Sequence, residues 1–133
     1  MGLIRRLFGL KASIVVVDDS DELASMLVMF LRRRGYRLER ASDGLEGVEL
    51  VRRVRPDLVL LDITMPKLDG MGALIQIKSD PKTAHIPVLM CTDHSMIHDV
   101  EKCFGHGAVG YILKPFELDK VLEKVRSVLK ERP

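Results

Sequence analysis

The sequence predicts a doubly wound α/β domain made of five strand-helix units, (βα)5. Short apolar runs, typical of parallel strands covered on both faces, alternate with segments whose apolar residues recur at helical spacing. Pro56, Pro87 and Pro115 fall between these segments, where proline is best tolerated. At 133 residues, 47% hydrophobic and 30% charged, the chain suits one globular domain with a single core and has no room for a second.

The predicted strands are short. Four are continuously apolar, and a fifth, second in chain order, is weaker and more polar. In chain order they span Ile14–Val17, Tyr36–Ala41, Leu58–Leu61, Val88–Met90 and Val109–Leu113. Continuous hydrophobicity favours a sheet with helices on both faces.

The helices between the strands are predicted from apolar spacing and end signals. The first has apolar residues from Leu23 to Leu31 at i, i+3, i+4, i+7 and i+8, and it ends at Gly35 behind three arginines. Asp43 is predicted as the N-cap of the second, because helical spacing follows it, and Ser95 as the N-cap of the fourth. The last helix spans residues 118–129. Asp69-Gly70 is predicted as a turn that carries the chain clear of the strand ends.

Composition excludes several classes of protein. The formal charge of +2 is small and basic residues alternate with acids, so we expect no direct DNA binding. Cys91 and Cys103 are too few for a disulfide framework, which predicts reduced thiols and a cytoplasmic protein. No apolar run reaches the roughly 18 residues of a membrane span.

The first residues form a separate segment. We divide the chain into a basic and apolar extension, residues 1–12, and a domain, residues 13–133. Residues 1–11, MGLIRRLFGLK, lack a secretory cleavage site, and their apolar residues share one helical face with the basic residues elsewhere. Membrane or partner contact through residues 1–11 is one interpretation. A frayed or packed tail is favoured, because about 11 residues make a marginal isolated helix.

Polar side chains follow the predicted strands at their carboxyl ends. Asp18 and Asp19 follow the first strand, Asp62 the third, Thr92 the fourth and Lys114 the fifth. In a doubly wound sheet these ends meet at one edge, where ligands bind. Carboxylates brought together repel one another unless a cation joins them, and oxygen ligands suit Mg²⁺. The sequence therefore predicts a magnesium site.

Asp62 is the predicted nucleophile of this site, because it stands alone at its strand end. A carboxylate beside a divalent ion, a lysine and a hydroxyl can attack phosphorus and form an acyl phosphate. Asp18 and Asp19 would hold the metal, Lys114 would neutralise a phosphoryl oxygen and Thr92 would donate to another. The simpler alternatives are that Asp18 and Asp19 cap the first helix and that Thr92 only begins the fourth.

Four motifs, VVVDDS, PDLVLLDITMPKLDG, IPVLMCT and GYILKPF, together resemble the receiver domains of two-component response regulators, from about Ser13 to Arg132. The resemblance implies a flavodoxin-like fold with strand order 2-1-3-4-5. It also implies phosphorylation of Asp62 by a histidine kinase or phosphotransfer protein. Asp19 and the backbone carbonyl of Thr64 would bind Mg²⁺ directly, with Asp62, and Asp18 largely through water.

The same resemblance implies a signalling switch that phosphorylates and dephosphorylates only itself, and not a turnover enzyme. Thr92 is the expected switch hydroxyl and Tyr111 the switch aromatic. The face formed by helix 4, strand 5 and helix 5 would change for a downstream protein that no motif identifies. Since no output domain follows Pro133, we expect the signal to pass by docking or by phosphoryl relay.

One residue departs from the family pattern. Asp93 stands where receivers commonly have Ala or Gly, so it either repels a phosphodonor or points into solvent, and His94 lies close enough to tune the site. Two other functions stay open. One is a binding module that works without phosphorylation. The other is a phosphohydrolase of the haloacid-dehalogenase type, because its opening motif resembles residues 62–64, DIT.

Overall fold

The computed structural model describes residues 11–93 and 97–131, which form a sheet of five parallel strands in the order β2-β1-β3-β4-β5. The predicted fold class and strand order are confirmed. The strands are β1 (Ser13–Val17), β2 (Arg37–Ala41), β3 (Leu58–Asp62), β4 (Val88–Thr92) and β5 (Gly110–Leu113). The helices are α1 (Asp21–Arg33), α2 (Gly44–Val54), α3 (Gly70–Ser79), α4 (Ile97–Gly105) and α5 (Leu118–Leu129).

The sheet is buried on both faces. In β1, Val15 and Val17 pack with α2, α3 and α4, whereas Ile14 and Val16 pack with α1 and α5. Successive side chains of a strand point to opposite faces, so a strand with helices on both sides needs apolar residues at every position. This explains the continuous apolar runs. Cys91 and Cys103 are free thiols buried in this core.

In the part of the chain that the structure describes, three helices begin at a side-chain cap. Ser20 caps α1 by accepting a hydrogen bond from the Leu23 amide, so the alternative in which Asp18 and Asp19 cap this helix is wrong. Asp43 caps α2, as predicted. The turn predicted at Asp69-Gly70 is wrong, because the Asp69 carboxylate accepts from the Gly72 amide and α3 begins at once.

Some predictions lie outside the described residues. They are the N-cap role of Ser95, the tuning role of His94 and the structure of most of the N-terminal extension. Among the helices that the structure describes, none has the length and apolarity needed to cross a membrane.

Candidate functional site

Three carboxylates meet at the carboxyl ends of β1 and β3. One oxygen from each of Asp18, Asp19 and Asp62 lies within 4.8 Å of the others. Asp18 and Asp62 are buried, with 1% and 6% of their surface exposed, whereas Asp19 is exposed. The cluster therefore has a buried floor and an open side at Asp19.

Lys114, which directly follows β5, joins two of these acids. Its Nζ lies 3.1 Å from Asp18 Oδ2 and 3.2 Å from Asp62 Oδ1. The Lys114–Pro115 peptide bond is cis. The structure thus brings four of the predicted site residues together, although β5 is two strands away from β3 in the sheet.

The two carboxylate oxygens of Asp18 differ in their hydrogen bonding. Its Oδ1 accepts a hydrogen bond of 2.9 Å from the Ser20 amide, and its backbone carbonyl accepts from the Arg40 guanidinium. Its Oδ2 is buried and, among the described residues, has the Lys114 ion pair but no hydrogen bond of acceptable geometry. A buried carboxylate oxygen with an unused lone pair, beside two further carboxylates, suits a hard cation that prefers oxygen ligands.

The charges of the site perturb one another. Burial, followed by repulsion from Asp18, raises the pKa of Asp62 to about 6, with Lys114 opposing the rise. Burial lowers the pKa of Lys114, but the attraction of Asp62 and Asp18 outweighs burial and the net pKa is raised. Ionised Asp62 is thus destabilised when no metal ion is bound, even though the neighbouring Lys114 is charged at neutral pH.

Thr92 lies in the sheet and not at a helix start, since it is the last residue of β4 and is buried. Its hydroxyl donates a 3.0 Å hydrogen bond to the backbone carbonyl of Asp93. Asp93 itself is exposed. Thr64 lies two residues after Asp62, on the exposed part of the loop between β3 and α3.

Tyr111 is half-buried in β5 between two other side chains. Its ring meets Phe104 edge to face, with 6.4 Å between centroids, and the Lys124 ammonium lies 5.8 Å from its centroid on α5. A groove of about 210 Å³ runs from Tyr111 along β5 to Lys120 and Lys124.

The loop between β3 and α3 is braced by contacts that the sequence did not indicate. Lys67 Nζ lies 3.5 Å from Asp43 Oδ2 at the start of α2. A Cβ atom on Gly44 would lie 1.8 Å from the Leu68 carbonyl, and one on Gly70 would lie 2.1 Å from the Asp62 carbonyl. Both helices therefore begin against the loop that follows Asp62. The repeated Asp-Gly pairs at 43–44 and 69–70 were the available signal.

Comparison with protein families matches most of the chain to one family. The sequence model of the response regulator receiver domain matches residues 14–126. The chain is 36% identical over 117 residues to the DNA-binding dual master transcriptional regulator RpaA of Synechocystis, which covers 88% of this chain and 48% of that protein. It is 36% identical over 120 residues to Protein PilH of Pseudomonas aeruginosa, which covers 89% of this chain and 98% of that one.

A solved structure shows the same architecture. The receiver domain of sensor histidine kinase PA1611 from Pseudomonas aeruginosa, which has a magnesium ion coordinated in its active site cleft, matches with a TM-score of 0.83 and 26% identity. That match covers 91% of this chain and 99% of the other. In contrast, the chain spans about half the length of RpaA, the first relative above.

Proposed function

The chain belongs to the response regulator receiver domain family of two-component systems, and from this premise we propose that Asp62 accepts a phosphoryl group from a histidine kinase or a phosphotransfer protein. Receiver domains are signalling switches and not classical enzymes. The observation that carries the proposal is the bridge from Lys114 to the buried Asp18 and Asp62.

The proposed reaction uses the residues at the strand ends. A carboxylate oxygen of Asp62 attacks phosphorus, the new P–O bond forms an acyl phosphate, and the bond from phosphorus to the donor atom breaks with its electron pair leaving on the donor. The Lys114 ammonium neutralises charge on a phosphoryl oxygen. Thr92 exchanges its hydrogen bond to the Asp93 carbonyl for one to the phosphoryl group.

The donor set fits Mg²⁺. Asp18, Asp19, Asp62 and the backbone carbonyl of Thr64 would hold the ion, which when bound supplies positive charge that offsets the carboxylates and the phosphoryl oxygens. Two features support this assignment: the three carboxylate oxygens within 4.8 Å of one another and the buried Asp18 Oδ2.

The output of the switch would pass along β5. Movement of the Thr92 hydroxyl toward the phosphoryl group opens space that the half-buried Tyr111 takes up, which releases its contacts with Phe104 and Lys124. The face formed by α4, β5 and α5 then changes for a downstream protein. We place the protein in the cytoplasm, on the basis of its free cysteines.

Neither alternative function is favoured by a specific observation. Phosphohydrolases of the haloacid-dehalogenase type place this aspartate after the first strand and add a cap, but Asp62 ends β3. A module that works without phosphorylation has no need of Lys114 placed between two buried acids.

Labelling with acetyl phosphate and Mg²⁺ tests the proposal. We expect intact protein to gain the mass of one phosphoryl group, with a bond that mild base cleaves, and Asp62→Asn to gain none. Glu123→Gln, at an exposed position of α5, is the matched control and should label like the original chain. Label of undiminished amount on Asp62→Asn would refute the assignment.

A further inference from the structure

Arg40 lies beside the acidic cluster without belonging to it. It is in β2, where the register of the sheet pairs it with Val16 of β1. One residue further along, the Asp18 amide donates a 3.1 Å hydrogen bond to the Ala41 carbonyl. The two strands therefore run side by side up to the point where Asp18 begins the loop to α1, and the side chain of Arg40 stands next to that loop.

The Arg40 guanidinium bonds to both ends of this loop. Its Nη2 and Nε donate to the backbone carbonyl of Asp18 at 2.8 Å and 3.3 Å. Its Nη1 donates at 2.7 Å to Asp21 Oδ1, on the first residue of α1. The pair with Asp21 is a surface ion pair, since 88% of that side chain is exposed, and such pairs contribute little stability. The contact with the Asp18 carbonyl, made by two donors of one rigid plane, is the stronger constraint on the loop.

Asp19 lies between two peptide groups that are both held. Arg40 holds the peptide group before Asp19 by its carbonyl. The Ser20 amide, which donates a 2.9 Å hydrogen bond to Asp18 Oδ1, holds the peptide group after it. The Asp19 side chain itself is exposed, so surrounding side chains do not pack it into place. The direction of its carboxylate therefore depends on these two peptide groups.

Charge alone does not explain a cation at this place. Arg40 carries a full positive charge next to a cluster of carboxylates that suits Mg²⁺, and like charges repel. If charge were its only effect, Arg40 would weaken the binding of a metal ion. A role in geometry has the opposite sign, because it would strengthen binding by holding a ligand in position.

We propose that Arg40 is a positioning residue of the metal site, which fixes the peptide group between Asp18 and Asp19 and so keeps the Asp19 carboxylate beside Asp18 and Asp62. The inference rests on the proposed function, because Asp19 would bind Mg²⁺ only as part of that site. The three carboxylate oxygens lie within 4.8 Å of one another although their charges repel. A loop held at both flanking peptide groups pays less to be ordered when the ion binds.

NMR spectroscopy of the full chain provides two measurements. In EDTA, hydrogen exchange of the Ser20 amide reports on the loop with no metal bound, and amide chemical shifts titrated with Mg²⁺ give the Kd. We expect the Ser20 amide of Arg40→Gln to exchange severalfold faster. We expect its Kd for Mg²⁺ to rise about tenfold, the lower end of the range for groups that orient a metal ligand. Arg40→Lys keeps the charge but not the planar guanidinium, so it should lose affinity to a similar extent.

The matched control is Arg37→Gln, which removes the same charge from an exposed position at the other end of β2. It should leave the exchange of Ser20 and the Kd unchanged. Tighter binding of Mg²⁺ by Arg40→Gln, or unchanged exchange of its Ser20 amide, would overturn the proposal. So would an Arg40→Lys variant that binds Mg²⁺ as well as the original chain, because charge would then be sufficient. Slow exchange of the β1 and β3 amides shows that each variant is folded.

Failure of this inference differs from failure of the proposed function. An unchanged Kd in Arg40→Gln, with acetyl phosphate still labelling Asp62, would overturn the role of Arg40 alone. No response of the original chain to Mg²⁺ would overturn the proposed metal site together with this inference.

Discussion

Ionised Asp62 should cost the metal-free protein stability, and the cost can be removed by mutation. Its pKa is raised from 3.8 to about 6 by burial and by Asp18. Each pKa unit corresponds to about 1.4 kcal/mol, so ionisation of Asp62 destabilises the folded state by about 3 kcal/mol. Asp62→Asn keeps the shape of the side chain and cannot ionise. We therefore expect the variant to be more stable than the original chain at pH 8 by up to about 3 kcal/mol.

The sign of the pH dependence follows from the direction of the shift. A group whose pKa is raised on folding contributes stability below its unfolded pKa, and that contribution is lost as pH rises through the folded value. The original chain should thus lose stability between about pH 4 and pH 7, while Asp62→Asn should not. The free energies of unfolding of the two proteins should become equal near pH 4.

Urea unfolding in EDTA across this pH range measures the effect. Glu123→Gln removes an exposed carboxylate from α5 and should follow the original chain at every pH. A free energy of unfolding that varies with pH in the same way for Asp62→Asn and the original chain would show that burial and Asp18 do not destabilise the ionised carboxylate of Asp62. The same conclusion would follow if Asp62→Asn were the less stable protein at pH 8.

Three more predictions concern the same end of the sheet. Asp19→Asn should lose most of the rise in melting temperature that Mg²⁺ produces in the original chain, and a full rise in the variant would remove Asp19 from the ligand set. Gly70→Ala places a Cβ atom 2.1 Å from the Asp62 carbonyl oxygen and should lower the free energy of unfolding, measured with urea, by more than about 2 kcal/mol. In the control Gly105→Ala, the new Cβ atom meets nothing within 4 Å, so this variant should be as stable as the original chain or slightly more stable. Asp93→Ala should speed labelling by acetyl phosphate severalfold at low salt and less at high salt, whereas equal rates throughout would mean that this carboxylate faces away from the donor.

The sequence predicted those parts of the molecule that depend on a repeating environment. A strand with helices on both faces must be apolar throughout, so Leu58–Leu61 could be identified without knowing its neighbours. Because parallel strands end together, Asp62 and Lys114 could be placed at one edge from their strand positions alone. The order of the strands required the family resemblance, since apolarity does not say which strands are neighbours.

Contacts between a loop and a helix leave no periodic pattern in the sequence, and they were not predicted. Asp69-Gly70 has the composition of a turn, and only the position of the Gly72 amide makes it a helix start. The pairing of Lys67 with Asp43 depends on how α2 meets the β3–α3 loop, which no periodicity encodes. The Thr92 hydroxyl likewise faces the Asp93 carbonyl because of the local course of the backbone.

Lys114 connects an edge strand of the sheet to the acids at its centre. Among the described strands, β5 pairs only with β4 and β2 only with β1, whereas β1, β3 and β4 are hydrogen-bonded on both sides. The Lys114 ammonium pairs with Asp18 and Asp62, which lie at the ends of the central strands β1 and β3. A change of charge at Asp62, as in the proposed phosphorylation, would therefore act directly on an edge strand through Lys114. Tyr111 lies on that strand, three residues before Lys114, so a displacement of β5 would carry its ring with it.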